Sequence, residues 1–330
     1  MILAGDIGGT KTVLSLLEKD AGGLLKCVRE HTFASGEYDS FDEILGLFLP
    51  ANVQLDSACF GVAGPVVDQR CFATNLNWTL DAELLKTKLD TPRVRLLNDL
   101  EAMAFGMLHL EADDFVELNP NAEPQSGNIA VIAAGTGLGE AILYWDGARY
   151  HPIASEGGHC SFAPQTVQQD KLLHFLRRQF PQHVSYERIL SGVGFSHLYD
   201  FLVESQFAPP CPAVPNPVSC RGDGVDRNAI ISRLGINGED ALCSEAVRMF
   251  VEIYGAEAGN LFMKSFATGG VFIGGGIGPK IRSAMQAGGF MMGFTSKGRF
   301  QALLGKVSVK LALNPRTPLI GAMHHFDTEN

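Results

Sequence analysis

The chain has 330 residues, of which 46% are hydrophobic and 19% are charged, and its formal net charge is −10. This composition supplies apolar material for about two domains with their own cores and is unlike that of a disordered chain. Nucleic-acid surfaces depend on Lys and Arg, and no basic cluster occurs, so no nucleic-acid partner is expected.

Export and membrane insertion are not expected either. No stretch approaches the ~20 apolar residues of a membrane span, and the N-terminus has no basic region typical of a signal peptide. The seven Cys residues are scattered without a C-x-x-C spacing. These features predict a cytoplasmic protein with reduced thiols. Cys211 and Cys220 lie in a Pro-rich segment, residues 207–226, which is predicted to be a surface loop without a complete metal site.

The first third of the chain begins with two β-compatible runs joined by a glycine turn, within residues 2–17. A third strand, a helix, a strand, a helix, a strand and a helix are predicted next, in residues 24–33, 41–49, 57–65, 82–88, 94–97 and 100–107. This βββαβα order differs from the βαβ order of a Rossmann half and is typical of a ribonuclease H-like domain.

The pattern then partly repeats. Residues 128–145 again read as strand, glycine turn and strand, followed by a hairpin turn at Asp146-Gly147. The remaining predicted elements are helices in residues 171–180 and 241–262, a buried strand in 268–277 and a final helix in 319–326. Two glycine loops in two halves indicate a duplicated fold.

Asp99 lies where a predicted strand ends and a helix begins. Ligands of α/β proteins bind at such strand ends, so Asp99 is a candidate catalytic carboxylate. The alternative is that Asp99 is only a helix cap.

The first glycine loop has the chemistry of a phosphate-binding hairpin. Gly8 and Gly9 allow backbone N–H groups to approach an anion, Thr10 adds a hydroxyl donor, and Lys11 adds a positive charge. Asp6 ends the preceding strand, where its carboxylate can hold Mg²⁺ through water. An ordinary hairpin turn is the alternative.

Two further glycine clusters follow buried strands. The loop Gly135–Gly139 is not a dinucleotide motif, because its spacing is G-x-G-x-G and a strand, not a helix, follows it. The cluster Gly274–Gly276 offers a flat backbone surface for adenine or ribose, or is a plain tight turn.

Polar side chains flank a diglycine at Glu156 and His159, which suits recognition of hydroxyl groups. Half of a metal site is the less favoured alternative. The segment Ser185–Gly192 is predicted to be a short helix with Ser185 as its N-cap and Glu187 in its first turn.

Taken in order, these residues resemble the bacterial ATP-dependent glucokinase family of the hexokinase and actin-like ATPase superfamily. The matching segments are residues 5–10, 74–78, 97–99, 134–139, 156–159, 187–192 and 270–277. The resemblance implies an α/β fold of two ribonuclease H-like (actin-like ATPase) domains around a cleft. Residues 1–108 with about 317–330 would form a small domain that carries the first phosphate loop and Asp99, and residues 109–316 would form the large domain.

The resemblance also implies an activity, the transfer of the ATP γ-phosphoryl group to the 6-hydroxyl of D-glucose by a cytoplasmic homodimer that uses Mg²⁺. Asp99 would be the general base. The implied sugar-binding residues are Asn75, Asn98, Asp99, Gly137, Glu156, His159 and Glu187. The implied ATP-binding residues are Asp6, Gly8, Gly9, Thr10, Lys11, Gly135, Thr136, Gly137, Gly275 and Gly276.

Three other functions are consistent with this fold. The nearest is a kinase for another hexose, such as fructose, mannose or an amino sugar. A sugar-sensing regulator is disfavoured by the negative charge and by the fold starting at Ile2. An actin- or chaperone-like ATPase would leave Glu156, His159 and Glu187 without a purpose.

Overall fold

The structure is a computed structural model that describes residues 1–73, 76–217 and 225–326. It divides into two compact units, unit 1 (Met1–Asp114 with Asn314–Asn330) and unit 2 (Phe115–Leu313). Across these described ranges, no helix is both long enough and apolar enough to span a membrane.

Unit 1 contains a mixed sheet. The described strands of this unit are β1 (Ile2–Ile7), β2 (Lys11–Lys19), β3 (Leu25–Ala34), β4 (Ser57–Val62), β5 (Val66–Val67), β6 (Arg70–Ala73), β7 (Trp78–Asp81) and β8 (Val94–Asn98). Five of these described strands form the sheet, in the order β3-β2-β1-β4-β8. β1 to β3 pair antiparallel, whereas β4 and β8 run parallel to β1. The predicted ribonuclease H-like arrangement is confirmed.

A small second sheet, formed by β5, β6 and β7, was not predicted from the sequence. Its first turn consists of Asp68 and Gln69, which both have positive φ values, of 49° and 58°. Such two-residue turns usually contain Asn or Gly, so the sequence signal is weak. Gln69 is held by tertiary contacts, because its side chain accepts a hydrogen bond from the Leu96 N–H (3.0 Å) and donates one to the Leu96 carbonyl (3.4 Å).

The first three described α-helices of unit 1 agree with the prediction. They are α1 (Phe41–Phe48), α2 (Ala82–Leu89) and α3 (Asp99–Met107). The apolar positions of α1 are buried, and the Ser40 hydroxyl accepts a hydrogen bond from the Glu43 N–H at its N-cap.

Unit 2 repeats the strand topology of unit 1. The described strands of unit 2 are β9 (Phe115–Glu117), β10 (Ile129–Ala134), β11 (Leu138–Trp145), β12 (Tyr150–Ser155), β13 (Gly270–Gly274) and β14 (Val309–Ala312). The described sheet order is β12-β11-β10-β13-β14-β9, with β10 to β12 antiparallel and β13 and β14 parallel to β10. The antiparallel edge strand β9 is an addition to the five-strand pattern of unit 1. The duplicated fold is therefore evident in the topology.

A long buried helix organises the helical side of unit 2. The described helices are α4 (Val167–Gln179), α5 (Gly194–Glu204), α6 (Arg227–Ile236), α7 (Ala241–Ser265), α8 (Ile277–Lys280), α9 (Arg282–Gln286), α10 (Gly289–Thr295) and α11 (Gln301–Leu304). α7 packs against α5, α6, α10 and β10. The hydroxyl of its buried Tyr254 accepts a hydrogen bond from the Ala134 N–H (3.1 Å), which fixes the end of β10.

The chain returns to unit 1 in its final helix, α12 (Thr317–His324), which packs on α3. Two glycines permit this contact. A Cβ on Gly106 would collide with the carbonyl of Thr317, and a Cβ on Gly321 would collide with the carbonyl of Ala102. Because α3 begins at Asp99, this close packing also holds the helix that carries the candidate catalytic carboxylate.

The Gly106→Ala variant tests that packing. We expect the added methyl to push α12 away from α3 and lower the free energy of unfolding by about 1–3 kcal/mol in urea denaturation. The matched control is Gly46→Ala in α1, where the new Cβ meets open space. That variant should gain about 0.5–1 kcal/mol from helix propensity. Equal free energies of unfolding for the two variants would contradict the conclusion that Gly106 is needed for the close packing of α3 on α12.

Candidate active site

The first glycine loop connects β1 and β2 and is tied down by Ser35. The Ser35 hydroxyl donates to the Gly8 carbonyl (2.8 Å), and its N–H donates to the Thr10 carbonyl (3.0 Å). The Gly8 N–H donates across the turn to the Lys11 carbonyl (3.0 Å). The loop is therefore held in one conformation, which suits a preorganised anion site. Sequence reasoning missed Ser35, since nothing near residue 35 marks its contact with the loop.

Asp6 lies in β1 between Val13 of β2 and Gly61 of β4. Its side chain is largely shielded from water, and this burial raises the pKa of the carboxyl group, while the charge of Lys11 opposes the rise. A carboxylate in this environment gains from a neighbouring cation, so Asp6 fits the predicted role near a metal ion.

Asn98 caps helix α3. Its Oδ1 accepts a hydrogen bond from the Leu100 N–H (2.9 Å), and its Nδ2 donates to the Gly64 carbonyl (3.0 Å). Gly64 has φ +154° and follows strand β4, so the amide of Asn98 connects the ends of β4 and β8.

Asp99 is the first residue of α3, and its Oδ1 accepts from the Leu100 N–H (3.0 Å). The N-cap of α3 is Asn98 and not Asp99. The alternative that Asp99 is only the helix cap is therefore wrong. The buried thiol of Cys71 lies nearby, and its pKa is raised by burial and by the negative charge of Asp99. Cys71 was not recognised from the sequence as a neighbour of Asp99.

The second glycine loop in unit 2 is closed by its own backbone. The Gly135 N–H donates to the Gly137 carbonyl (2.8 Å), and the Gly192 N–H donates to the Gly135 carbonyl (2.9 Å). Glu187 lies directly against Gly137, where a Cβ would collide with its Oε2 atom. The same Oε2 accepts from the Leu138 N–H (3.0 Å). Glu187 can lie in this position because Gly137 has no side chain. Thr136, between the two glycines, is exposed.

The structure brings His159 and Glu187 together. His159 Nδ1 is 3.9 Å from Glu187 Oε1, and both side chains are accessible to solvent. Glu156 precedes the 3₁₀ turn Gly157–His159 and is exposed. The Tyr186 N–H donates to the Cys160 carbonyl (3.0 Å), which joins the two segments that carry these side chains.

The predicted short helix at Ser185–Gly192 is wrong. The structure has a single 3₁₀ turn at Tyr186–Arg188, and the Ser185 side chain makes no capping hydrogen bond. Ser185 instead forms a β-bridge with Ser161. The Glu187 carboxylate is therefore stabilised by a hydrogen bond from the Leu138 N–H and not by the dipole of an α-helix.

Gly275 and Gly276 follow β13, which runs parallel to β10. Gly275 has φ +81°, and a Cβ there would collide with the backbone of Ala134. The third glycine cluster therefore lies against the end of β10, immediately before the second glycine loop.

Some predicted features receive no structural support. Asn75 lies outside the described residues, as does Cys220. Within the described part of the chain, no group of three His, Cys, Asp or Glu side chains could hold a metal ion. Glu156 and His159 are therefore not part of such a cluster.

Comparison with known proteins identifies the family. The family model described as Glucokinase matches residues 3–329. The chain belongs to the glucokinase family. It is 38% identical to the glucokinase of Nostoc punctiforme over 332 residues, which is 98% of this chain and 97% of that protein.

Solved structures of related proteins share this fold. The glucokinase from an Antarctic psychrotroph matches with a TM-score of 0.83 and 32% identity over 98% of both chains. A ROK family glucokinase from Streptomyces griseus, solved in complex with glucose and AMPPNP, matches with a TM-score of 0.63 and 18% identity over 98% of both chains. The predicted actin-like ATPase fold class is confirmed.

Removing the cap at Asn98 should be measurable as lost stability. We expect Asn98→Ala to lower the free energy of unfolding by about 1–2 kcal/mol, because the Gly64 carbonyl loses its donor and the Leu100 N–H loses one of its two acceptors. Asn98→Asp keeps the acceptor and should lose less. Urea denaturation measures both, and an Ala variant as stable as the unmodified protein would remove Asn98 from this role.

Proposed function

We propose that this member of the glucokinase family transfers the γ-phosphoryl group of ATP to the 6-hydroxyl of D-glucose. The observation that carries the proposal is the grouping of Glu187, His159 and the Leu138 N–H beside the second glycine loop. This grouping supports the proposal because two side chains able to bind sugar hydroxyls, one of them fixed by the Leu138 N–H, lie next to backbone suited to phosphate.

In this proposal the sugar is recognised by complementary polar groups. Glu187 has one oxygen committed to the Leu138 N–H, so its orientation is fixed before substrate binds. Its other oxygen and the His159 ring remain available to hydroxyl groups, with Glu156 and Asn98 as further partners. A site built from such groups discriminates against an analogue that lacks one hydroxyl, because the protein group is then left unpaired.

Asp99 is proposed as the general base. The transition state of phosphoryl transfer is loose, so positioning and charge stabilisation provide most of the rate enhancement. Asp99 accepts the proton of the attacking hydroxyl, a contribution of roughly 10²–10⁴-fold. The Asn98 cap and the bond from the Leu100 N–H hold its carboxylate in place.

The glycine loops are proposed to bind ATP. Gly8, Gly9 and Thr10 with Lys11 would contact phosphates, as would the second loop, whose residues are Gly135, Thr136 and Gly137. Gly275 and Gly276 would lie near the adenosine. Backbone donors in tied loops need little reorganisation when charge develops.

Mg²⁺ is proposed to act with Asp6, whose buried carboxyl group suits a water-mediated contact. When bound, the ion would neutralise charge on the β- and γ-phosphates. Homodimer formation stays a prediction that rests on the family resemblance, and a cytoplasmic location stays a prediction that rests on the resemblance and on the sequence features described above.

Sugar preference distinguishes the glucokinase proposal from its main alternative, a kinase for another hexose. A coupled assay of ADP formation on glucose, fructose, mannose and glucosamine should give the highest kcat/KM with glucose. A higher value with another hexose would reassign the substrate. ATP hydrolysis that is indifferent to every sugar would contradict the kinase proposal.

Asp99→Asn should lower kcat by two orders of magnitude or more while glucose binding largely survives, since an amide cannot accept the proton. Steady-state kinetics and calorimetric glucose binding measure the two effects. The control is Asp81→Asn, at the N-cap of α2, because Asn is an equally good cap. Near-normal turnover of the Asp99 variant would exclude Asp99 as the base.

A further inference from the structure

Two glutamates that the proposed mechanism does not use are buried in unit 2. Glu140 of β11 is 1% exposed and Glu257 of α7 is 0% exposed. Burial and the charge of Glu257 raise the pKa of Glu140, so the two buried carboxyl groups are neighbours in the core. Ionised carboxylates only accept hydrogen bonds, so these two groups can bond to each other only if one of them carries a proton.

The surroundings of Glu140 favour the protonated form. Burial and the adjacent charge of Glu257 raise the pKa of Glu140 to about 8, against a smaller opposing effect of Lys264. Its Oε1 atom is buried and has no hydrogen-bond partner in the described part of the chain. A proton shared with Glu257 accounts for an oxygen that would otherwise be left unsatisfied.

Glu140 supports the turn that follows Glu156. Its carboxyl group lies against Gly157, at the place that a Cβ would occupy. Gly157 is held from the other side, because its N–H donates to the Ser155 hydroxyl (2.9 Å). Ser155 is the direct cross-strand partner of Glu140. The carboxyl group therefore determines how closely the turn between Glu156 and His159 can approach strand β11.

Glu257 supports the turn that carries Glu187. Burial and the charge of Glu257 raise the pKa of the Tyr186 hydroxyl, so the two groups are close to each other. Asn260 joins the two, since its Nδ2 donates to Glu257 Oε2 (2.8 Å) and to the Tyr186 hydroxyl (3.0 Å). Tyr186 is buried and immediately precedes Glu187.

The other titratable groups around the pair come from three elements. Lys264 Nζ lies 3.5 Å from Glu257 Oε1. Tyr254 of α7 faces Glu140, and Tyr186 faces Glu257. Lys297, after α10, is attracted by the charge of Glu257 and donates to Asn260 Oδ1 (2.7 Å).

We propose that Glu140 and Glu257, sharing one proton, form a positioning pair that sets the spacing of the Gly157 and Tyr186 turns and thereby of the sugar-binding side chains. The inference rests on the proposed sugar site. Loss of the shared proton would place two negative charges in contact, separate the turns and weaken glucose binding, without a direct effect on ATP.

The pH dependence of glucose KM tests the positioning role. Glu140→Gln keeps the shape, stays neutral at every pH and can donate to Glu257. In the unmodified enzyme the glucose KM should rise severalfold from about pH 7 to about pH 9, as the pair loses its proton. In the variant this rise should be absent, and the ATP KM should follow the same pH curve in both proteins. Parallel glucose KM curves would overturn the proposal.

Thermal stability tests the proton independently of activity. The pKa of Glu140 is raised in the folded state above its ordinary value of 4.5, so the stability it contributes is fully present below about pH 4.5 and is lost as the pH rises through about 8. The Tm of Glu140→Gln, relative to the unmodified protein, should therefore increase between about pH 5 and about pH 8 and then level off. If the Tm difference between Glu140→Gln and the unmodified protein did not change with pH, the proposal that the two glutamates share a proton would be wrong.

The matched control is Glu245→Gln on the same helix. Burial acts to raise the pKa of Glu245, but hydrogen bonds from Arg248 and Gln168 outweigh it and lower the pKa overall. Its Tm difference should stay constant over the same pH range. If neither protein phosphorylates any hexose, the proposed function fails, while the Tm comparison still decides whether the proton is shared.

Discussion

The hydrogen bond from the Leu138 N–H to Glu187 Oε2 connects the parts of unit 2 that matter for its chemistry. It exists because Gly137 has no side chain to exclude the carboxylate. The bond attaches the 3₁₀ turn at Tyr186–Arg188 to the start of β11, beside the second glycine loop. The proposed sugar-binding groups on these separate segments are thereby held in position by one backbone donor, which would lower the cost of ordering them on binding.

The parallel strands explain why the remaining groups gather where they do. Strands β10 and β13 lie side by side and point in one direction, so the loops after them emerge at one edge of the sheet. The same relation holds in unit 1 for β1, β4 and β8, whose ends carry Asp6, Gly64 and Asn98. A duplicated topology thus supplies two sets of strand-end residues without requiring any similarity in sequence between them.

Much of this was predictable from the chain because it depends on local pattern. Continuous apolar, β-compatible runs located the strands, and the periodicity of Phe41, Ile44, Leu45 and Phe48 located α1. The roles of Asp99 and Glu187 depended on the family resemblance. The helix predicted at Ser185 was wrong because the capping pattern is local in sequence. The β-bridge that Ser185 forms is with Ser161, which is distant in sequence.

Other features had weaker signals. Glu140 is a charged residue between Leu138 and Ile142 on one face of an otherwise largely apolar strand, which is a detectable anomaly in the sequence. Its partner Glu257 lies in a helix far along the chain, and no sequence spacing connects them. Ser35 and Cys71 likewise acquire their neighbours only through packing.

The turn at Asp68 and Gln69 has a consequence for the edge of the sheet in unit 1. β8 is the last strand of that sheet, and an open strand edge invites pairing with another chain. The Gln69 amide bonds to both the N–H and the carbonyl of Leu96, as a neighbouring strand would. This side chain therefore acts as a one-residue substitute for a sixth strand. It occupies the edge-facing N–H and carbonyl of Leu96, so these two groups are not free to pair with a strand of another chain.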